Sequence, residues 1–546
     1  MINQSECGQP PPQLSWTGER MVPNASDMAT ELLHWQRYQF FRPWYEDRKI
    51  VDAASGEGYG SNYASVHAAQ VTGVELCSNT VIHARQRYPE VEFVQGDVCD
   101  FDYSGADLVV SFETIEHLPD PQQFLQALSR CPGAIVISTP NRKFHSPGNR
   151  LEDKPLNPYH TVEWLPEEFA ELIRLHFPDR QIRFLSQENR WPGLIREGLD
   201  HEAMYTIAVI DGWELPRWPR LGLAMPTVDN APAVQDAVLG LTRNYPGEIE
   251  IAVVANGSGE ATLTALRQLR DGLPHIVRLV EEPINHGYGV GANIGLDHLW
   301  QDAWFDLFGV VNDDVLPAID CVCEMVEAFR HLQALGHRPG IVGPTSNIVQ
   351  GIQQRDIGPF GSYAEMLYRA ESYHRRHANS ATEAAQIRGL FFLISPECLS
   401  AVGGFDPRFG FGNHEDDDHN LRVRHAGYTL WCADGAFLYH EGSSTFRQIG
   451  IDYFDNQERN QRILLEKWGA SSMEELMRAE NLPETVSVFV PLSARALRST
   501  YTARINGQDV DLVYQASSVE LAAWIVHKLQ SKPAEDRVRL LQALAA

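Results

Sequence analysis

Residues 405–422 read FDPRFGFGNHEDDDHNLR, and this stretch organises the second half of the chain. Four consecutive acids, Glu415 to Asp418, follow a glycine-rich turn and precede an apolar segment with helical spacing. About a hundred residues earlier, the short apolar run 308–311 opens directly onto Asn312-Asp313-Asp314. One acidic cluster therefore follows a predicted strand, and the other begins a predicted helix. Carboxylates placed in this way suit a metal-bound diphosphate and a general base.

Each acidic cluster also has an ordinary structural interpretation. Asp and Asn are common where a loop begins, so Asp313 and Asp314 could form a simple turn. Acids in a first helical turn favour the helix dipole, and Asn413 could cap the helix. Asp418 stands four residues before Arg422, which is the spacing of a helical ion pair. These residues alone leave both interpretations open.

The chain around the two clusters alternates between strand and helix patterns from residue 221 onward. This alternation predicts a parallel, doubly wound sheet whose ligands bind at the carboxyl ends of the strands. The turn Asn256-Gly257-Ser258 follows one of these strands. The predicted strands are 221–226, 248–254, 277–281 and 307–311, and the predicted helices are 231–241 and 260–269.

Seven segments of this half follow one another in order: MPTVDN (225–230), VVANGS (253–258), NHGYGVGAN (285–293), VVNDDV (310–315), RGLFFLI (388–394), VGGFDPRFGFGNHEDDDHNLR (402–422) and YHEGSST (439–445). Together they resemble the motif series of family 2 glycosyltransferases of the GT-A fold. The resemblance implies transfer of a sugar from a nucleotide-sugar donor, with inversion and without a covalent sugar intermediate.

The resemblance also implies roles for the matching residues. Asp314 would be the main metal ligand, with Asp313 or Asn312 beside it and His440 completing the site. Asp416 would be the general base that takes the proton of the acceptor hydroxyl. The residues implied to contact the nucleotide-sugar are Pro226, Thr227, Asn256, Asn285, Gly287, Asn293, Asn312 and Asp313.

Three positions depart from the pattern of that family. Asn256 replaces the usual aspartate, which weakens the expected contact with the nucleotide base. Asp417 stands where an apolar residue is common, and His419 replaces leucine. We interpret Asp417 and Asp418 as structural acids of the helix start.

In the first half of the chain, the run KIVDAA at 49–54 predicts a buried strand, and the glycine turn SGEGYGS at 55–61 follows it. A strand, a glycine turn and a helix are typical of a nucleotide pocket. Asp52 near the strand end would repel a pyrophosphate but would favour S-adenosylmethionine (SAM), which has no phosphate and carries a sulfonium and an ammonium. Glu75 ends the next strand nineteen positions after Gly56, the usual distance for an acid that accepts the ribose hydroxyls.

Two further strands follow, FVQGD at 93–97, whose Asp97 suits the adenine amino group, and ADLVVSF at 106–112. DAASGEGYGS, VEL, FVQGDV and DLVVSFETIEHL resemble the successive motifs of class I SAM-dependent methyltransferases. TGERMVP (17–23) and NPYHTVEWLPEEF (157–169) resemble small methyltransferases found beside polysaccharide-assembly enzymes. The residues implied to line the cofactor site are Asp52, Gly56, Gly58, Glu75, Asp97, Ser111 and Phe112.

Methyl transfer to a hydroxyl depends mainly on positioning, but a base is useful. His117 and His160 are the candidates for that base. Either one could equally be a helix or loop histidine whose nitrogens are satisfied by hydrogen bonds.

Composition narrows the class of protein. A length of 546 residues predicts roughly three or four domains, and a hydrophobic fraction of 43% lets each bury a core. The net charge of -27 argues against a nucleic-acid partner, because phosphate binding needs clustered Lys and Arg.

Eight cysteines without a C-x-x-C pair favour reduced thiols. With no signal-like start and no apolar run of about 18 residues, we expect a cytoplasmic protein that meets any membrane-bound acceptor from the water side, at the inner face of the membrane.

We therefore expect an α/β protein with two doubly wound Rossmann-like domains and a small C-terminal α+β extension. A SAM methyltransferase fold comes first and a GT-A fold second. The extension rests on a predicted hairpin at 503–514 and a predicted helix at 519–529. The expected boundaries are 1–210 for the methyltransferase domain, 211–220 for a linker, 221–468 for the glycosyltransferase domain and 469–546 for the extension.

The sequence predicts a bifunctional enzyme that uses SAM, a nucleotide-sugar donor and a divalent metal, Mn²⁺ or Mg²⁺. The expected acceptor is a glycan, a lipid-linked glycan or a glycoconjugate, as in polysaccharide or O-antigen-type biosynthesis. Two alternatives stay open: an active glycosyltransferase whose methyltransferase domain only binds SAM or docks partners, and a non-catalytic assembly protein. The sequence does not decide between a monomer and a homodimer.

Overall fold

The structure is a computed structural model, and it describes residues 21–23, 28–302, 305–442, 453–478, 489–492, 500–505 and 508–513. The predicted helix at 519–529 lies outside the described residues. The predicted hairpin is present, because 500–505 and 508–513 pair in antiparallel fashion on either side of residues 506–507.

The α-helices are distributed along both halves of the chain and are separated by strands. Short 3-10 turns follow several strands and helices, and the turn Ile115–His117 contributes to a candidate site. The helices are α1 Met28–Phe40, α2 Tyr59–Ser65, α3 Ser78–Arg87, α4 Pro121–Leu128, α5 Arg142–His145, α6 Pro166–His176, α7 Ala231–Arg243, α8 Glu260–Gly272, α9 Tyr288–Trp300, α10 Cys321–Ala334, α11 Tyr363–His377, α12 Pro396–Val402, α13 Glu415–His425, α14 Tyr453–Trp468 and α15 Met473–Arg478.

The strands form two large sheets and one hairpin. They are β1 Lys49–Ala53, β2 Gln70–Glu75, β3 Glu92–Gln95, β4 Leu108–Ser111, β5 Ala134–Pro140, β6 Ile182–Glu188, β7 Ile195–Glu197, β8 Ala203–Ile210, β9 Leu221–Thr227, β10 Ile249–Asn256, β11 Val277–Glu282, β12 Leu307–Val311, β13 Val315–Pro317, β14 Pro339–Ser346, β15 Ala381–Ala384, β16 Phe391–Ile394, β17 Thr429–His440, β18 Thr500–Ile505 and β19 Gln508–Val513.

The first sheet has eight strands in the order β3-β2-β1-β4-β5-β8-β6-β7. Strands β1 to β5 are parallel, whereas β8 runs antiparallel to both β5 and β6. The strand order reverses at β1, since β2 lies on one side of it and β4 on the other. The carboxyl ends of β1, β2 and β4 therefore meet at one edge, at the switch point where ligands bind in such sheets.

The sequence predicts the first four strands of this sheet, and the runs 181–185 and 205–210 predict two later strands that correspond to β6 and β8, but the patterns miss β5 and β7. β5, with the sequence AIVISTP, is buried along its whole length, and β7 has only three residues. A short, continuously apolar run has no period that separates a buried strand from a buried helix. β5 matters for function because it places Ser138 and Thr139 beside the candidate site described below.

The second sheet has nine strands, with the path β11-β10-β9-β12-β16-β14-β17-β13 and with β15 paired to β17. β11, β10, β9 and β12 are parallel, as the alternating pattern predicts, and β16 is antiparallel to β12. The register pairs Val315 of β13 with His440 of β17. This pairing brings the loop after β12 next to the end of β17, although 126 residues separate Asp314 from His440.

The described chain divides into two compact units. The first contains the described residues up to Trp218 together with 245–248 and 359–378, and the second contains the other described residues. The fold class of two parallel-dominated α/β sheets is therefore confirmed. The division differs from the expected boundaries in two segments, because residues 245–248 and α11 fall inside the range 221–468 but pack in the first unit.

Polar contacts hold α11 in the first unit. Arg375 donates to the Ser65 hydroxyl at 3.0 Å from each of its two terminal nitrogens. Glu371 accepts from Arg87 at 3.4 Å, and the Arg87 guanidinium lies over the ring of Tyr368. These partners are 281 to 310 residues apart in sequence, so local patterns could not predict them.

A buried ion network joins α13 to α14 in the second unit. Asp418 and Arg422 are fully buried and lie 2.9 Å apart, which confirms the predicted helical ion pair. The Lys467 ammonium lies 2.7 Å from Asp418 and 2.8 Å from Asp406, and the Trp468 indole donates to Asp418 at 3.0 Å. The network fixes the helix that begins with the acidic run. None of the helices within the described ranges combines the length and apolar character that a bilayer crossing requires.

We predict that Lys467→Met destabilises the second unit by about 3–5 kcal/mol, because it leaves two buried carboxylates without their shared cation. Urea unfolding followed by tryptophan fluorescence measures the change. Arg462→Met on the same helix is the matched control, since that side chain is 70% exposed and should have little effect. Equal stability of the two variants would show that the network contributes little.

Candidate functional sites

A cavity of about 840 Å³ opens in the second unit, at the carboxyl ends of β9, β10 and β12. Both acidic clusters border it, so the structure brings Asp313 and Asp314 to the same cavity as Asp416. The predicted residues that line it are Pro226, Thr227, Asn256, Asn285, Gly287, Asn312, Asp313, Asp314, Asp416 and His440.

Asp314 and His440 form a close pair at this cavity. The His440 Nε2 atom lies 3.2 Å from the Asp314 carboxylate and 3.3 Å from the Asn312 amide nitrogen. Burial alone would lower the pKa of His440, but the hydrogen bond and charge of Asp314 outweigh burial and raise it. Burial would likewise raise the pKa of Asp314, but His440 outweighs burial and lowers it.

Asp313 lies beside this pair, and different influences set the pKa of its carboxyl group. The Thr227 hydroxyl donates to its carboxylate at 2.6 Å. Burial is the largest influence and, with the neighbouring charge of Asp314, raises the pKa of Asp313 to about 7. A divalent cation would relieve this repulsion between the two carboxylates.

The donor set around Asp314 fits a divalent cation. Two carboxylates, an amide and one imidazole converge there, and oxygen-rich sets of this kind suit Mn²⁺ and Mg²⁺. The Asn312 Oδ1 atom is buried and has no hydrogen-bond partner among the described residues. That oxygen adds a neutral acceptor to the group.

The four acids at the start of α13 have different roles. The Asp416 side chain is 13% exposed, whereas those of Asp417 and Asp418 are 1% and 0% exposed. Asp417 accepts from Arg388 and from His414, both at 2.7 Å. Asp417 and Asp418 are thus fixed by ion pairs, and Asp416 is the more open carboxylate at the cavity.

Asp416 is held in place by backbone groups. The Gly389 N–H donates to it at 3.1 Å and the Asp417 N–H at 2.8 Å. Burial, followed by the charge of Asp417, raises the pKa of Asp416, although the Arg388 guanidinium at 3.9 Å opposes the shift. A raised pKa brings a carboxylate closer to the range that suits a general base.

Two predicted roles at this site need correction. Asn413 does not cap α13, because the residue at the cap position is His414 and its side chain makes no capping hydrogen bond. Asn293 is not among the residues lining the cavity, and its amide is hydrogen-bonded at both ends to the backbone of Phe405. We therefore assign Asn293 a structural role in place of the expected contact with the nucleotide-sugar.

Asn256, the departure from the family pattern, shapes the loop at 285–287. Its amide nitrogen donates to the Gly287 carbonyl at 3.0 Å, and its oxygen accepts from the His286 N–H at 2.9 Å. Aspartate lacks the N–H donor that the first bond requires. Gly287 itself has φ 86°, and a Cβ atom there would lie 2.0 Å from the Gly410 carbonyl oxygen.

Arg388 and Tyr288 also line the cavity but were not predicted from the sequence. Arg388 begins the RGLFFLI segment and lies beside the acidic helix start. The Tyr288 hydroxyl donates to the Gly389 carbonyl at 2.7 Å. Both residues lie inside motifs of the series, NHGYGVGAN and RGLFFLI, and that position was a signal that could have identified them.

In the first unit, Asp52 lies at the end of β1 and is 1% exposed. The Ser61 hydroxyl donates to it at 2.6 Å, and the Tyr38 hydroxyl lies 3.2 Å from both carboxylate oxygens. Burial raises the pKa of Asp52 to about 6 in spite of these two donors. A buried carboxylate held in this way favours a cationic ligand.

Glu75, at the end of β2, faces the glycine turn. It accepts from the Gly56 N–H at 3.2 Å and from the Cys77 N–H at 2.8 Å. Gly58 has φ 100°, and a Cβ atom there would lie 2.7 Å from the Phe93 ring. Only glycine suits that position, so the close turn beside the two acids depends on it.

The remaining predicted cofactor residues differ in exposure. Asp97 is exposed in the loop after β3, where its carboxylate accepts from the Cys99 N–H at 2.9 Å. Ser111 is fully buried and donates to the Ala53 carbonyl at 3.1 Å. The Phe112 ring is 7% exposed and meets the Tyr38 ring edge-to-face at 4.9 Å.

The two histidine candidates for a base lie together after β4. The rings of His117 and His160 are 4.8 Å apart, and His160 Nδ1 lies 2.6 Å from the Glu163 carboxylate. Glu116 is fully buried and accepts from the Thr139 hydroxyl at 3.2 Å. Burial, followed by the charge of Glu113, raises the pKa of Glu116 well above its usual value.

Comparison with known families identifies a domain in each half of the chain. The family model for a methyltransferase domain matches residues 51–137, and the model for glycosyl transferase family 2 matches residues 223–393. The chain therefore contains a methyltransferase domain and a family 2 glycosyltransferase domain.

Individual relatives match the first half. A probable S-adenosylmethionine-dependent methyltransferase of Mycobacterium tuberculosis is 37% identical over 172 residues, which cover 30% of this chain and 61% of that protein. A probable S-adenosylmethionine-dependent methyltransferase of Mycolicibacterium smegmatis is 38% identical over 172 residues and is covered over 65% of its length. The chain thus spans less than two thirds of these relatives. A solved S-adenosylmethionine-dependent methyltransferase from Mesorhizobium loti is 15% identical, with 33% of this chain and 98% of that chain covered and a TM-score of 0.27.

We predict that Asp52→Asn stabilises the first unit at pH 7.5 by up to about 3 kcal/mol. The folded state binds the Asp52 proton more tightly than the unfolded state, since the pKa of this carboxyl is about 6 when folded. The native protein therefore loses stability as pH rises through about 6, and the asparagine variant does not. The difference should vanish near pH 4 and below.

Thermal and urea unfolding at several pH values measure this effect, with Asp179→Asn as a control for an exposed carboxylate of the same unit. A variant that is less stable than the native protein at every pH would contradict the prediction.

Proposed function

We propose that the second unit transfers a sugar from a nucleotide-sugar donor to an acceptor hydroxyl, with inversion at the anomeric carbon. The observation that supports this most is one cavity bordered by the Asp314–His440 pair and by Asp416. Asp314 and His440, with Asp313 and Asn312 beside them, would hold Mn²⁺ or Mg²⁺. That cation would supply neutralisation of the charge on the diphosphate leaving group.

Asp416 would act as the general base of a single displacement. It would accept the proton of the acceptor hydroxyl while the new bond forms to the anomeric carbon and the bond to the diphosphate oxygen breaks. Its backbone donors at Gly389 and Asp417 hold it at the cavity wall, which supports this positioning. Pro226, Thr227 and the loop shaped by Asn256 would bind the nucleotide.

We infer that the first unit transfers a methyl group from SAM to a hydroxyl. Asp52 would favour the cationic part of SAM, and Glu75 would accept from its ribose hydroxyls, while Asp97 would face the adenine. His117 and His160 are the candidates to accept the hydroxyl proton. The two mycobacterial relatives, named as SAM-dependent methyltransferases, support this assignment.

For the acceptor we propose a glycan, a lipid-linked glycan or a glycoconjugate of a polysaccharide or O-antigen-type pathway, reached in the cytoplasm or at the inner face of the membrane. Both chemistries act on hydroxyl groups, and a glycan presents many. We propose residues 1–210 and 221–468 as the two domains, with 211–220 as a linker and 469–546 as an extension.

We predict that Asp416→Asn lowers kcat by about 10²–10⁴-fold and leaves the KM for the nucleotide-sugar within about threefold. The substitution removes the group that accepts the proton, but it removes no contact with the nucleotide-sugar. Release of nucleoside diphosphate from UDP-, GDP- and dTDP-sugars in the presence of Mn²⁺ measures the rate. Asp236→Asn, an exposed carboxylate on α7, is the control. Full turnover by the Asp416 variant would exclude this residue as the base.

We predict that Glu75→Gln weakens SAM binding by about 10–100-fold, because charge-assisted hydrogen bonds to the ribose are lost. Isothermal titration calorimetry with SAM and with S-adenosylhomocysteine gives the affinities. Glu92→Gln, an exposed residue at the start of β3, should bind like the native protein. Equal losses in both variants would point to a general disturbance of the fold.

A further inference from the structure

Three potential metal ligands meet in the first unit, apart from the Asp314 site. One ligand atom each from Glu116, His117 and His160 can be chosen so that all three lie within 4.8 Å of one another. Glu116 and His117 belong to the 3-10 turn that follows β4. Thr139 near the end of β5 donates to Glu116, so the group lies at the sheet edge that also carries Asp52 and Glu75.

The tautomer of His117 is set by a backbone carbonyl. Its Nδ1 atom lies 3.1 Å from the Tyr159 carbonyl oxygen, which can only accept, so Nδ1 carries the proton. The Nε2 atom then presents a lone pair, 3.9 Å from Oε1 of Glu116. Metal-binding histidines typically donate their other N–H to such a carbonyl or to a carboxylate.

His160 is oriented in the same way by a carboxylate. Its Nδ1 atom lies 2.6 Å from Glu163, and both side chains are buried. The proton on Nδ1 leaves a lone pair on Nε2. The Asn157 amide nitrogen donates to that atom at 3.0 Å, and a cation would displace this hydrogen bond. A carboxylate–histidine pair of this geometry raises the basicity of a metal ligand.

Glu116 supplies the negative ligand. It is fully buried, and its Oε1 atom has no hydrogen-bond partner among the described residues. Glu163 adds a second buried carboxylate, while Glu113, whose side chain is 13% exposed, lies 3.7 Å from the Arg37 guanidinium. A buried carboxylate is costly to ionise unless a cation pairs with it.

We propose that Glu116, His117 and His160 bind a divalent transition-metal cation, such as Mn²⁺, Co²⁺ or Zn²⁺. One carboxylate and two imidazoles suit these ions better than Ca²⁺, and three protein ligands leave positions open for a substrate oxygen. The inference rests on the proposed methyl transfer only for the role of the cation. In this assignment His117 and His160 are ligands, not proton acceptors.

The cation would bind the acceptor hydroxyl and lower its pKa, which selects acceptors that can offer one or two hydroxyl oxygens, such as a sugar diol. The hydroxyl proton would leave to solvent as the oxygen–methyl bond forms. The sulfur–methyl bond would break at the same time, and its electron pair would stay on sulfur to give S-adenosylhomocysteine. Atoms and charge balance without another reactant.

Binding of Mn²⁺ to the full chain tests the proposal, measured by electron paramagnetic resonance of the free ion. Asp314→Asn is used as the background so that the second unit does not contribute. We expect this chain to bind one Mn²⁺, and the added change Glu116→Gln or His117→Ala to weaken its Kd at least tenfold. Glu163→Gln, which changes only the partner of His160, should weaken it by about 10–100-fold.

His201→Ala is the matched control, because this exposed histidine pairs with Glu167, is not one of the three ligands and should leave Mn²⁺ binding unchanged. SAM affinity, measured on the same samples, shows that each variant is folded. Retained SAM binding with no Mn²⁺ bound, or with equal Mn²⁺ affinity in all variants, overturns the metal site. Mn²⁺ bound without any SAM affinity keeps the site and overturns the methyl transfer.

Discussion

Buried carboxylates at the carboxyl ends of parallel strands are the constraint on which both candidate sites depend. Asp52 at the end of β1 and Asp313 after β12 are each nearly inaccessible to solvent. Burial raises the pKa of both, to about 6 and about 7, although each accepts a hydroxyl hydrogen bond. Such groups cost stability unless a cationic ligand compensates them. A sulfonium in one unit and a metal ion in the other would meet that need.

The acidic start of α13 shows how one short run can serve structure and chemistry together. Asp417 and Asp418 are neutralised by Arg388, Arg422 and Lys467, which fix the helix against its neighbours. Asp416 stays more exposed and is held by backbone N–H groups. The structural interpretation and the functional one are therefore compatible, because they concern different residues of the run.

The sequence predicts much of the geometry of the candidate sites wherever the spacing within one motif sets that geometry. Glu75 follows Gly56 at a fixed distance, and the two residues meet through a hydrogen bond. The closeness of Asp314 and His440 was predictable only from the order of motifs, since strand pairing between β13 and β17 creates it. Asn293 could not be assigned in this way, because its partner Phe405 is 112 residues away.

Other features depended on tertiary contacts without a sequence signal. The packing of α11 in the first unit rests on one ion pair and on hydrogen bonds with residues 65 and 87, far away in the sequence. Asn413 had the right residue type for a cap, but its left-handed backbone, with φ 71°, and that of His414 set a different helix start. The sequence offered His117 and His160 as two candidate bases, but the orientation of their rings depends on the Tyr159 carbonyl and the Glu163 carboxylate, which local patterns do not reveal.

The central claim is that one chain binds a methyl donor and a nucleotide-sugar donor. Native mass spectrometry of the full chain, incubated with SAM, Mn²⁺ and each of UDP, GDP and dTDP, tests it most directly. We expect a species that holds one SAM and one nucleotide with Mn²⁺ on the same chain, for at least one of the three nucleotides. A chain that takes up SAM but none of the nucleotides, or a nucleotide but never SAM, would contradict it.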